Sequence, residues 1–242
     1  VILTHLHFDH CGGATRAESE GSTMTKKFDC PASEILSKVT PTPVIPNGLT
    51  NEEKIAKIST HFREILMTLG MDLTNDSLRE SPQRIARMYV NEVFRGLDTK
   101  NFPKITAIEN EMKYDQMLVV RDIAVVSTCE HHFVTIDGKA TIAYIPKNKV
   151  VGLSKINRIA DFFSRRPQVQ ERLTKQIADC LVAVLETENV AVHLNAKHYC
   201  VISRGIEDHS STTVTADLRG DFKNDPRTRS EFIAHCVTEL ER

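Results

Sequence analysis

Between Asn51 and Leu69 the apolar residues Ile55, Ile58, Phe62, Ile65, Leu66 and Leu69 recur at three- and four-residue intervals, the spacing of one face of an α-helix. A second helix is predicted from Ser81 to Phe94, where Pro82 suits a first-turn position, and Gly70 and Gly96 mark the two ends. The period then falls to two in Met117 to Val126 and again in Lys139 to Ile145. Asp137-Gly138 between these runs reads as the turn of an antiparallel hairpin. Helical spacing returns from Ser154 to Arg165 and from Pro167 to about Glu186, followed by a strand pair, Val190 to Ile202 and Ser211 to Leu218, and a closing helix near Asp225 to Leu240. Hairpins interrupted by helix pairs predict an α+β fold, an antiparallel sheet with helices on one face, preceded by an N-terminal helical region.

Upstream of Asn51 this order stops. Pro41, Pro43 and Pro46 exclude a helix there, because proline lacks the amide donor and restricts its predecessor, so residues 24–50 are expected to form an extended arm. Residues 1–23 look foreign to the rest. His5, His7, Asp9 and His10, followed by Cys11-Gly12-Gly13, are dense in metal-ligand types and resemble the zinc signature of the metallo-β-lactamase superfamily, but the chain changes character directly afterwards. That segment is expected to be an appended or fused fragment, with Met24 as a natural start and residues 51–242 as the functional domain.

Composition narrows the function classes. The chain has 242 residues, of which 40% are hydrophobic and 26% charged, ordinary values for a globular protein. A formal net charge of −1 removes any bulk electrostatic case for nucleic acid or an anionic membrane, so cations must be read locally. No stretch reaches the roughly 18 apolar residues of a membrane helix, and a cytoplasmic location is the expectation. The six cysteines lack the regular spacing of a secreted disulfide scaffold and are treated as separate thiols.

Cys129-Glu130-His131-His132 follows a strand, and Cys200 lies in the next predicted hairpin. Cys-x-x-His gives two zinc-type ligands in one turn, and a third thiolate arriving from a neighbouring strand would leave an open fourth position. Buried structural thiols explain the same residues. His198, two before Cys200 on the predicted strand, should share its face. Ser154 is expected to cap a helix whose Lys155 and Arg158 are three apart, and two cations at a helix start suit an anion such as phosphate; a solvated basic face is the alternative. Arg204 adds a third cation if the fold brings it near. Glu171 with Gln170 sits in a first helical turn, where the helix dipole alone favours a carboxylate.

These pieces occur together and in order as Ser127-Thr128-Cys129-Glu130-His131-His132-Phe133, Gly152-Leu153-Ser154-Lys155-Ile156-Asn157-Arg158, Arg166-Pro167-Gln168-Val169-Gln170-Glu171-Arg172-Leu173, and His198-Tyr199-Cys200 with Arg204-Gly205-Ile206. In this the chain resembles the GTP cyclohydrolase I family from about Asn51 to Glu239. The resemblance implies a T-fold and a catalytic Zn2+ on Cys129, His132 and Cys200, with water in its open position. It implies acid and base roles for His131 and His198, guanine recognition by Glu171 with Gln170, and triphosphate contacts from Ser154, Lys155, Arg158, Arg204 and Arg84. The implied reaction opens the imidazole ring of GTP, releases formate and recloses to 7,8-dihydroneopterin triphosphate, the first step of folate and tetrahydropterin biosynthesis. The implied assembly is a homodecamer with sites between subunits. Two rivals remain open: a T-fold hydrolase of another purine or pterin, and a structural zinc protein whose fourth ligand is His131.

Overall fold

The computed structural model describes residues 26–237. The segment holding the His5 to Cys11 cluster lies outside the described residues. After strand β1 (Lys27–Cys30) and a short helix α1 (Ala32–Ser37) come the two expected helices, α2 (Asn51–Thr68) and α3 (Ser81–Met88). Thr50 and Glu53 close α2 with a reciprocal capping box, which satisfies amides the first turn would otherwise leave without partners. Beyond Met88 the second helix widens into a π turn, Tyr89–Val93, instead of running on regularly.

Two sheets follow. The small one orders β1, β2 (Ile105–Glu109) and β5 (Lys149–Val151), so the N-terminal strand is stitched to the domain. The large one orders β6 (Pro167–Gln168), β3 (Leu118–Cys129), β4 (Thr135–Tyr144), β7 (Val190–His198) and β8 (Thr213–Leu218). All its pairs are antiparallel except β3 with β6. Helices α4 (Leu153–Ser164) and α5 (Gln170–Leu185) cover one face, where Ile142, Tyr144, Val192 and Leu194 meet Ile156, Ile159, Phe163, Ile177 and Leu181 in one buried cluster. This is the sheet and two-helix layer that the T-fold resemblance implies. Because side chains alternate along a strand, Ala143 and Ala191 point the other way, and there Phe222 of α7 (Asp221–Asn224) and Phe232 of α8 (Pro226–Cys236) cover one end of the second face.

Several sequence expectations are corrected in detail. Asp137-Gly138 is not a turn: both lie within β4, paired with Lys197 and Ala196. Gly138 is required by close approach, since a Cβ there would sit 2.3 Å from the Asn195 carbonyl oxygen. The hairpin turn is instead the Cys129 to Val134 segment, closed by Cys129 N donating to Val134 O at 2.8 Å and Phe133 N to Cys129 O at 2.9 Å. Pro167 opens a two-residue strand, and α5 starts only at Gln170. The N-cap of α4 is Gly152, which places Ser154 inside the first turn. Strand β7 ends at His198, and Tyr199–Ile202 form a helical turn, α6.

Residues 24–50 are not the extended arm expected throughout, because β1 and the helix α1 lie within them. The segment from Pro41 to Pro46 carries neither helix nor strand, as its prolines dictate, and it is anchored. The Thr40 amide and hydroxyl donate to Asp179 at 2.8 and 2.6 Å, and the Gln176 amide nitrogen donates to Thr40 O and Thr42 Oγ1. Buried Arg166, packed against the rings of Phe162 and Phe163, reaches Thr42 Oγ1 at 3.0 Å and Gly96 O at 2.8 Å. Burial lowers its pKa to about 10.

Candidate metal centre and substrate site

The end of β3, the end of β7 and the start of α5 meet at one edge of the helix-covered face. Cys129 is the last residue of β3 and is buried; His132 sits three residues on, exposed in the hairpin turn; Cys200 is half-buried on α6. One ligand atom from each lies within 4.8 Å of the others. Ligands of one tetrahedral zinc stand about 3.8 Å apart when both are sulfur, so this donor set fits zinc with small adjustments. The helical turn after β7, not a continued strand, is what delivers Cys200. Burial and the adjacent Cys129 thiol push the Cys200 pKa up, the expected result when two thiols share a site before a cation neutralises them.

The turn is held on three sides. Glu130 N donates to Gln168 O at 3.0 Å, fixing the turn to β6. The Glu130 carboxylate takes both Arg172 guanidinium nitrogens at 2.6 and 3.2 Å, which depresses its pKa and ties the turn to α5. Phe133, at φ 57°, stacks edge-on against Tyr89 and Phe94, tying it to the N-terminal helices. Sequence reasoning missed the Glu130–Arg172 pair, although opposite charges flanking the two motifs were visible.

His198 is half-buried at the end of β7, and burial lowers its pKa while the Glu171 charge opposes that shift. Glu171 is exposed in the first turn of α5. His131 is exposed, its Nδ1 3.8 Å from Cys129 Sγ. Arg204 is exposed and donates to His132 Nε2 at 2.6 Å, so it touches the metal cluster directly. Ser154, Lys155 and Arg158 lie on the first turns of α4, and Arg84 on α3; among the described residues no hydrogen bond or ion pair links any of them to Cys129, His132 or Cys200. Gln170, expected beside guanine, is 1% exposed, and its amide is used within the protein.

Comparisons with known proteins identify the family. The family model for GTP cyclohydrolase I matches residues 58–237. GTP cyclohydrolase 1 of Aeromonas salmonicida is 59% identical over 192 residues, covering 79% of this chain and 88% of that protein. The Vibrio cholerae enzyme of the same name is 60% identical over 192 residues, with the same shares of the two chains. That of Shewanella loihica is 56% identical over 201 residues, 83% of this chain and 94% of the relative. Among solved structures, the apo form of an archaeosine synthase QueF-Like protein aligns with a TM-score of 0.32 at 15% identity, covering 43% of this chain and 91% of that one. With three quarters of its length matched by the family model and its metal-type cluster inside the matched region, the chain belongs to the GTP cyclohydrolase I family.

Proposed function

We propose that this chain hydrolyses the imidazole ring of GTP, releases C8 as formate and recloses the product to 7,8-dihydroneopterin triphosphate. The convergence of Cys129, His132 and Cys200 beside His198 and Glu171, in a chain 59% identical to a GTP cyclohydrolase 1, carries this reading. Zinc is the cation that the two thiols and one imidazole suit. When bound, it supplies Lewis acidity that lowers the pKa of a coordinated water from about 15.7 towards 7. Glu171 accepts the guanine N1 and exocyclic amine hydrogens, which positions the reacting carbon from one end of the substrate. Ser154, Lys155, Arg158, Arg204 and Arg84 hold the triphosphate from the other. His198 delivers a proton as the ring opens, and His131 is the second acid–base group.

The same family reading makes the assembly a homo-oligomer, a decamer, with sites completed between subunits. The same reading assigns a cytoplasmic location and makes residues 24–50 an arm on a single domain, with residues 1–23 outside it. Among the described residues no helix is long and apolar enough to cross a membrane. The test is zinc analysis together with a GTP assay followed at the absorbance of the pteridine product. Stoichiometric zinc and pteridine formation are expected. Zinc without turnover would favour the rival in which His131, close to Cys129, closes a structural site.

A further inference from the structure

Gln170 is bonded on every side. Its amide nitrogen faces the backbone carbonyls of Leu194 at 3.1 Å and Thr213 at 2.9 Å, and the Thr215 hydroxyl at 3.1 Å. Carbonyl oxygens only accept, so the amide nitrogen must occupy that end and the amide oxygen the other. The hydroxyls agree: Thr174 donates to Gln170 O at 2.9 Å, so in the 2.7 Å Thr174–Thr215 pair Thr215 donates, leaving its oxygen free to accept from Gln170. The Gln170 oxygen, whose orientation is therefore forced, lies 2.7 Å from His198 Nε2.

From this geometry we infer that Gln170 is a positioning residue that keeps the proton of His198 on Nε2 and presents Nδ1 as the nitrogen that exchanges protons with substrate. An amide oxygen cannot donate, so Nε2 must be the N–H. Among the described residues no hydrogen bond engages Nδ1. The arrangement parallels metal-site and triad histidines, whose tautomer is set by a neighbour of the non-reacting nitrogen. Gln170 thereby leaves the guanine-binding set: a side chain 1% exposed, with both amide ends engaged inside the protein, has nothing to offer a base.

The inference rests on the assignment of His198 as a proton-transfer group, and the experiment separates the two. Gln170→Met, His198→Ala and the double variant are compared in the zinc-loaded full chain for kcat, KM for GTP and zinc content. Gln170→Met is expected to lose about 10²-fold in kcat with KM within about threefold and zinc retained, and the double variant to be no slower than His198→Ala alone. Gln170→Glu, in its acid form, donates one O–H to the carbonyls and keeps an acceptor towards Nε2. It is expected to be at least about tenfold faster than Gln170→Met, even where both melt earlier than the parent. A raised KM with kcat intact would return Gln170 to the guanine site. Multiplicative losses in the double variant, or kcat values that merely follow stability, would make Gln170 structural and overturn the inference. If His198→Ala alone kept its kcat, the fault would lie with the role of His198. If Gln170→Met does not fold, Gln170→Glu decides: a loss of the size of His198→Ala overturns the inference.

Discussion

The two ends of the proposed site differ in how far their side chains are already bound to the rest of the chain. Cys129, His132 and Cys200 arrive from two distant segments and converge within 4.8 Å, with Glu130, Arg172, Gln168 and Phe133 bracing the turn behind them. Ser154, Arg158 and Arg84 stand exposed on α4 and α3, and among the described residues none of their side chains has a hydrogen bond or ion pair. The contrast suits the ligands proposed for each end. A metal tolerates little error in donor distance, so its site is preorganised by buried contacts. A triphosphate is bound by charge over a longer range, and cations left free of carboxylate partners keep their full attraction for it. Arg204, proposed for the triphosphate end, reaches the metal-type cluster through His132.

The comparison breaks most severely at the metal end. Cys200→Ser replaces a thiolate by a hydroxyl that stays neutral at physiological pH. Zinc content and GTP turnover are expected to vanish together in elemental analysis and the pteridine assay. A variant that keeps zinc at parental stoichiometry would remove Cys200 from the ligand set. His198→Ala comes next, with kcat falling by about 10² to 10⁴ while zinc stays, because proton transfer and metal binding are assigned to different side chains.

The other end should respond in binding. Glu171→Gln exchanges two acceptor oxygens for one, and Arg158→Ala removes a proposed phosphate contact. Each is expected to weaken GTP binding by about 1.5 to 3 kcal/mol with zinc unchanged. Equilibrium binding of a non-hydrolysable GTP analogue reads this directly. Parental affinity in Glu171→Gln would leave that carboxylate a helix-dipole residue only.

How much of this was legible beforehand depended on whether the signal was local. The period of α2, the β-rich runs and the paired site motifs are local, and all appear close to their expected places. Asp137-Gly138 misled because a turn-favouring pair and a close-packing glycine look identical until the neighbouring strand is known; the Asn195 carbonyl against Gly138 is a contact across about 57 residues of chain. The placement of Cys200 on a helical turn was hidden for a related reason, since Tyr199-Cys200-Val201-Ile202 is strand-like in composition and only its tertiary setting makes it turn. Gln170 was assigned to substrate by its motif, whereas its burial beneath β7 and β8 is a property of topology.

The arm offers a milder test of what the core holds in place. Burial raises the Asp179 pKa, but the hydrogen bonds from Thr40 and from Arg219 outweigh it, and the net value is depressed. A depressed carboxyl contributes stability that is fully present above its unfolded value, about 3.9, and is lost as pH falls through the lower folded value. Asp179→Asn is therefore expected to melt earlier than the parent by about 1 to 3 kcal/mol at neutral pH, with the gap closing below about pH 4. A gap independent of pH would assign the loss to packing instead.

The smallest effect is expected from removing residues 1–23. Every residue assigned to zinc, base or triphosphate lies between Arg84 and Arg204, and among the described residues the contacts of the arm with the domain begin at Lys26, whose carbonyl oxygen accepts from Glu109 N, and continue in β1, where Lys27 pairs with Ile108. A cut at Met24 leaves that pairing intact, together with the Thr40 and Thr42 anchors. The His5, His7, Asp9 and His10 cluster contains metal-ligand side chains, and a segment that binds a cation loses ordering entropy for each residue it immobilises. Truncated and full-length protein should therefore share one kcat, one KM and one assembly size by light scattering. The truncated form should differ only in losing weakly held metal that a chelator also strips from the full chain. A large drop in GTP turnover on truncation, or a β-lactam or thioester hydrolysis that disappears with the segment, would show that the first residues form a second working site.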